Sequence, residues 1–136
     1  MAELPSGTVT FLFTDLEVST RLWEQEPVAM RGALARHDVI LRGAVSANGG
    51  HLVKGTGDGV HAAFATAEAA VAAAVAAQLA LLEESWAVAE PLRVRMGIHT
   101  GAAELRDGDY FGPSVNRAAR LMSAAHGGQI VVSLVT

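Results

Sequence analysis

Thr8-Val9-Thr10-Phe11-Leu12-Phe13-Thr14-Asp15 is a run of aromatic, aliphatic and β-branched residues that ends on a carboxylate. Such a run reads as a central strand. A carboxylate at the tip of a buried strand is a poor core residue and a good ligand for a hard cation. Downstream, Lys54-Gly55-Thr56-Gly57-Asp58-Gly59 places a second aspartate in a glycine-rich hairpin turn. Carboxylate oxygens suit Mg²⁺, Mn²⁺ or Ca²⁺. Were the fold to bring Asp15 and Asp58 together, the pair would suit two-metal phosphoryl transfer.

Both aspartates also have ordinary explanations. Asp15 precedes Leu16-Glu17-Val18-Ser19-Thr20 and could cap a helix. Asp-Gly is a common hairpin-turn pair. The Gly55-x-Gly57-x-Gly59 spacing is not the dinucleotide fingerprint, and the P-loop pattern is absent.

The remaining elements follow outward from these two stretches. A short helix is expected around Ser19–Glu24, broken by Pro27, then a long helix over Val28–Ala47 stopped by Asn48-Gly49-Gly50. The hairpin comprises His51–Lys54, the turn Gly55-Thr56-Gly57-Asp58, and Gly59–Phe64. Alanine content predicts a long helix over Ala67–Ala89. Leu92, Val94, Met96 and Ile98 alternate with Arg93 and Arg95, which predicts a half-buried strand over Leu92–His99 with its arginines on the wet face. Thr100-Gly101 is expected to lead into a partner strand over Ala102–Leu105, with Asp107-Gly108-Asp109 as a loop. Gly112-Pro113-Ser114 opens a helix to about Ala125, and Gln129–Ser133 is a last strand. This order predicts an α+β, ferredoxin-like mixed or antiparallel sheet flanked by helices.

Composition narrows the function. One domain spanning 1–136 is expected from length alone. The absence of cysteine removes disulfides, thiolate zinc sites and cysteine nucleophiles, and fits a cytoplasmic location. A net charge of −4 argues against a nucleic-acid partner. The opening Met1-Ala2-Glu3-Leu4-Pro5-Ser6-Gly7 lacks a basic, apolar leader, and the alanine-rich segment reads as a buried helix, so no membrane partner is expected. His37, His51, His61, His99 and His126 show no metal-ligand spacing and are expected to be structural. No serine sits in a nucleophile elbow. Asn116 and Arg120 are four apart and share a helix face, either plain surface or a phosphate grip. Lys54 reads equally as a solvated strand-end lysine, and Asp109 as turn chemistry.

Taken in order, the motifs are specific. Val9–Asp15, Lys54–Gly59, Arg95-Met96-Gly97-Ile98-His99-Thr100-Gly101 and Asp109-Tyr110-Phe111-Gly112-Pro113-Ser114-Val115-Asn116-Arg117-Ala118-Ala119-Arg120 resemble the catalytic domain of class III adenylate/guanylate cyclases, in the compact actinobacterial style. The resemblance covers about Thr8 to Ser133. It implies that Asp15, Asp58 and the Leu16 carbonyl bind metal, with two Mg²⁺ or Mn²⁺ ions per site. It implies that Lys54 and Asp109 read the purine, that Asn116 orients the ribose, and that Arg120 grips phosphate. It also implies a head-to-tail homodimer with shared active sites, ATP as substrate and cyclic AMP as product. Lysine only donates and ionised aspartate only accepts, which matches N1 and N6 of adenine.

Domains of that family continue through further strands carrying a triphosphate-contacting lysine. No equivalent lysine follows Ser133, which leaves shortened C-terminal strands or a missing lysine as the alternatives. Three rival readings stand beside the enzyme: a catalytically silent nucleotide-binding regulatory domain, a diguanylate cyclase, and a plain interaction domain. The diguanylate cyclase turn signature is absent, Gly55-Thr56-Gly57-Asp58-Gly59 standing in its place.

Overall fold

The computed structural model describes residues 4–17, 19–55 and 58–136, so Met1–Glu3 of the opening and the expected turn residues Thr56 and Gly57 lie outside the described residues. The elements are β1 (Gly7–Leu16), α1 (Ser19–Gln25), α2 (Pro27–Ala47), β2 (His51–Gly55), β3 (Val60–Phe64), α3 (Ala67–Glu83), β4 (Val94–Arg106), β5 (Asp109–Phe111), α4 (Pro113–Ala124) and β6 (Ile130–Val132).

The six-stranded sheet runs β2-β3-β1-β4-β5, and β6 pairs with β4. All pairs are antiparallel except β4–β6, which is parallel. The order of the first four strands is ferredoxin-like, as expected, and helices flank both faces of the sheet.

Period-two alternation assigns the two faces of β1. Leu12 and Leu16 turn toward α1, α2 and α3 and join a large core with Met30, Leu41, Phe64, Met96 and Ile98. Val9 and Phe11 turn the other way, with Ala63, Tyr110 and Ala118 of α4. Asp15 shares the parity of Val9, Phe11 and Phe13, so it emerges on the α4 face.

Two glycines let α4 lie close to β4. A Cβ on Gly97 would overlap the backbone of Met122 and Ala118, and one on Gly101 would overlap Ser114. This corrects the expected turn at Thr100-Gly101. Pairing with β1 continues unbroken through Thr10↔Thr100, Val9↔Gly101 and Thr8↔Ala102, so Leu92–His99 and Ala102–Leu105 are not two strands but parts of one. Gly101 serves helix packing instead of chain reversal. The reversal comes at Asp107 and Gly108, with φ of 53° and 76°, the left-handed pair that a tight hairpin turn uses. Asp109 therefore opens β5 rather than lying in the loop.

α3 also ends earlier than its composition suggests, at Glu83 rather than Ala89. Glu84 is extended at φ −70°, ψ 137°. The Trp86 indole folds back and donates to the Leu81 carbonyl at 3.1 Å, satisfying one of the helix's terminal acceptors. Pro27 both ends α1 and occupies the first turn of α2, where its missing N–H costs nothing. Among the described residues, no helix is long and apolar enough to cross a membrane.

Candidate active site

The two sequence-distant aspartates meet. Asp15, near the end of β1, and Asp58, just before β3, come within hydrogen-bonding reach of one another. Two ionised carboxylates that close repel, and a shared proton or a cation relieves them. Arg95 supplies positive charge here. It lies directly across from Asp15 in the β1–β4 register, and its Nη2 donates to Asp15 Oδ2 at 2.5 Å. Burial alone would push the Asp15 carboxyl up. Its hydrogen bonds with Asp58 and Arg95, the Arg95 charge and the Leu16 backbone outweigh that and hold it below the ordinary value.

These donors suit a hard divalent cation. The carboxylate and carbonyl donors at Asp15, Asp58 and Leu16 are oxygens, and a guanidinium already stands on Asp15 where a cation would. Among the described residues, no three His, Asp or Glu side chains gather to hold a metal unaided. The pair would need water or phosphate oxygens to complete an octahedral shell.

A second group assembles above the same face. Tyr110 of β5 packs edge-on against Phe11 at 5.1 Å, and its hydroxyl donates to the Pro5 carbonyl at 2.6 Å. The β4–β5 hairpin is thereby curled over the sheet. The curl carries Asp109 to Lys54 on the opposite edge strand, at 3.1 Å from Nζ to Oδ2. The Tyr110 backbone N–H, donating to Asp109 Oδ1 at 2.8 Å, together with Lys54, holds the Asp109 carboxyl below its ordinary value. His61 lies in the same region, cross-strand from Lys54 and from Phe13, with its ring stacked on Phe13 at 4.1 Å.

The third group sits on α4. Ala118 is fully buried against the sheet, whereas Asn116 and Arg120 are exposed. At about 100° per residue, positions two before and two after Ala118 both lie about 160° from it. Asn116 and Arg120 therefore share the outer side of the helix, turned away from their own sheet and from their own Asp15.

One chain thus brings Asp15 to Asp58 and Lys54 to Asp109, but turns Asn116 and Arg120 away from both pairs. Arg95 was placed on the wet face by alternation alone. The sequence carried one signal for its role, its position in the β-strand that would neighbour a carboxylate-tipped β1. Glu17, beside the carboxylates, was also unmarked: its Oε2 accepts from the Gly127 N–H at 2.7 Å and ties the end of β1 to the loop before β6. Of the histidines expected to be structural, His37, His61 and His99 are buried, and His99 Nδ1 lies 2.7 Å from Ser133 Oγ.

Comparison with known proteins gives a consistent picture. The family model described as the adenylate and guanylate cyclase catalytic domain matches residues 1–136. An uncharacterised protein of Mycobacterium tuberculosis is 42% identical over 134 residues, covering 97% of this chain and 45% of its own length. The adenylate cyclase of Schizosaccharomyces pombe is 38% identical over 154 residues, covering 95% of this chain and 9% of its own length. The chain thus spans less than half the length of these curated relatives. A solved adenylate cyclase from Trypanosoma brucei, in its monomeric state, superposes with a TM-score of 0.91 at 30% identity, covering 98% of this chain and 76% of that one.

Proposed function

The chain belongs to the adenylate and guanylate cyclase catalytic-domain family, and on that premise we propose that it is the catalytic domain of an adenylate cyclase, converting ATP to 3′,5′-cyclic AMP and pyrophosphate at a homodimer interface. The observation that carries this reading is the meeting of the Asp15 and Asp58 carboxyls at one end of the antiparallel β1–β3 pairing, where β1 finishes and β3 begins.

In this reading Asp15, Asp58 and the Leu16 carbonyl hold two Mg²⁺ or Mn²⁺ ions. Bound divalent ions lower the pKa of the ribose 3′-hydroxyl and stabilise charge on the phosphate oxygens. Lys54 donates to N1 of adenine and Asp109 accepts from N6. Their mutual ion pair holds both groups ready at 3.1 Å before the base arrives. Asn116 orients the ribose so that its 3′-oxygen lines up with the α-phosphorus, and Arg120 stabilises charge as the bond to pyrophosphate breaks. The resemblance supplies no dedicated protein base, and His61, the buried imidazole nearest the base readers, belongs to the sheet.

The outward turn of Asn116 and Arg120 supports a head-to-tail dimer. They serve the partner's Asp15–Asp58 pair, and the partner serves theirs. The naming of the fission yeast and trypanosome relatives as adenylate cyclases supports ATP rather than GTP as substrate, as does the Lys54–Asp109 pair. The reading places the domain in the cytoplasm.

Incubation with Mn²⁺ and ATP, followed by identification of the product, tests the reaction. Cyclic AMP is expected, and nucleotide binding without product would point to the silent regulatory domain instead. Mixing Asp58→Ala chains with Arg120→Ala chains tests the shared site. Each homodimer has two damaged sites, while the mixed dimer keeps one intact, so mixing is expected to restore activity. Verified heterodimers with no activity would overturn the shared arrangement.

A further inference from the structure

We propose that Arg95 is the resident counter-ion of the Asp15–Asp58 pair: without divalent ions its guanidinium holds the cation position on Asp15, and ions must take that contact from it. The inference rests on the reading of the two aspartates as a metal site, and it concerns what occupies that site before metal arrives.

Four observations carry it. Arg95 and Asp15 are register partners on β4 and β1, so the strands themselves deliver the guanidinium to the carboxylate. The contact is close, 2.5 Å from Nη2 to Oδ2. It falls on the same carboxyl that Asp58 reaches, so the cation sits where two acidic groups meet. Arg95 is otherwise loosely held. Its Nη1 makes only a 3.5 Å approach to the Ser123 carbonyl, and its Nε is buried with no hydrogen-bond partner among the described residues. A structural arginine uses its whole donor fork. This one commits a single firm contact, and commits it to the carboxylate.

The arrangement has a physical logic. Two carboxylates held close without a counter-ion would push apart or take up a proton, and either would spoil the site. A tethered guanidinium keeps them converged. It cannot supply metal chemistry, and its side chain is 27% exposed, so it can leave without crossing the core. Arg95 acts through Asp15 and is a positioning residue. The cost is competition: an incoming ion displaces a charge already present.

Arg95→Met and Arg95→Lys chains separate this from a plain surface ion pair. Mn²⁺ affinity, read by the free-ion electron paramagnetic resonance signal, is expected to tighten on the order of tenfold in Arg95→Met, because a competing unit charge is gone. Its melting temperature is expected to fall in chelator and to rise with Mn²⁺ by more than the wild type's rise, since ligand binding at free concentration L stabilises by RT ln(1 + L/Kd), which grows as Kd falls. Arg95→Lys keeps the charge and is expected to behave as wild type in both measurements. Equal or weaker Mn²⁺ binding by Arg95→Met would overturn the counter-ion role while leaving the metal site standing. An Asp58→Asn control identifies the other failure: if wild type and Arg95→Met bind no Mn²⁺ that Asp58→Asn abolishes, the metal reading itself falls and the inference with it.

Discussion

His61 should make the fold acid-sensitive by an amount the structure sets. Its ring is 1% exposed, stacked on Phe13 at 4.1 Å and tilted against Phe11 at 5.6 Å. Neither ring nitrogen has a hydrogen-bond partner among the described residues. Burial, then the nearby Lys54 charge, push the imidazole down from 6.5 to about 4, with Asp109 opposing. The unfolded chain therefore takes up this proton at higher pH than the folded chain does. The folded state keeps its full advantage above about pH 6.5, loses it progressively as pH falls, and has lost it below about pH 4. For a fall from 6.5 to about 4, linkage gives a loss of about 2 kcal/mol at about pH 5, approaching about 3 kcal/mol at the limit. Urea unfolding of wild type and His61→Phe at about pH 7.5 and about pH 5 measures it. The phenyl ring keeps the stack and cannot titrate. Every other titrating group, the downshifted His99 included, is common to both proteins and cancels in the double difference. Wild type is expected to lose about 2 kcal/mol more than the variant between the two conditions. An equal loss in both would refute the claim that a neutral His61 is built into the sheet.

Three further substitutions probe the site and its platform. Asp58→Asn is expected to lower Mn²⁺-dependent turnover by about 10²-fold or more while leaving circular dichroism and cooperative unfolding intact, and near-wild-type rates would remove it from the reaction. Lys54→Glu replaces a donor with an acceptor opposite Asp109 and is expected to shift the ATP/GTP selectivity toward GTP by about five- to a hundredfold, the span of one or two unpaired polar groups. An unchanged ratio would take Lys54 out of base reading. Gly97→Ala forces a Cβ into the backbone of α4 at Met122 and Ala118 and is expected to cost about 1–3 kcal/mol or more. A urea midpoint within error of wild type would show that α4 does not lie against β4 as described.

Local patterns announced the strands but not their lengths. The apolar run before Asp15 gives β1, and alternation at Val94, Met96 and Ile98 gives the first half of β4. The second half was misread because Thr100-Gly101 looks like a reversal. Glycine serves equally where a helix presses on a strand, and only the position of α4 distinguishes the two uses. The end of α3 was invisible for a similar reason: it is set by the Trp86 indole turning back to Leu81, not by a glycine or proline. At the site, the i, i+4 spacing of Asn116 and Arg120 correctly predicts a shared helix face. The convergence of Asp15 with Asp58, and of Lys54 with Asp109, depends on strand order and on the curl of the β4–β5 hairpin. No local pattern encodes either, so spacing alone left both pairs open and the family resemblance alone implied them. Arg95 was assigned to solvent by alternation, which sorts residues by face but cannot say that the face carries a carboxylate two strands' width from the edge.

Lys54 and Asp58 are neighbours along the chain that do not work on the same partner. Lys54, on β2, reaches its ammonium to Asp109 on the curled hairpin, while Asp58, just before β3, reaches its carboxyl to Asp15 on β1. A site built within one chain would have to bend a nucleotide between these two directions and still bring α4 around by about half a turn to offer Asn116 and Arg120. Packing forbids that turn, because Ala118 is fully buried and Gly97 and Gly101 admit the helix in its present seating only. The proposed second copy would meet this geometry with α4 left in its seating. In the proposed dimer its carboxylate pair would approach the outer side of α4, and the β- and γ-phosphates of ATP held there would lie beside the exposed Arg120. This is why complementation between Asp58→Ala and Arg120→Ala chains is the sharper test of the proposed reaction geometry: turnover alone shows that a site exists, and rescue on mixing shows that two chains build it.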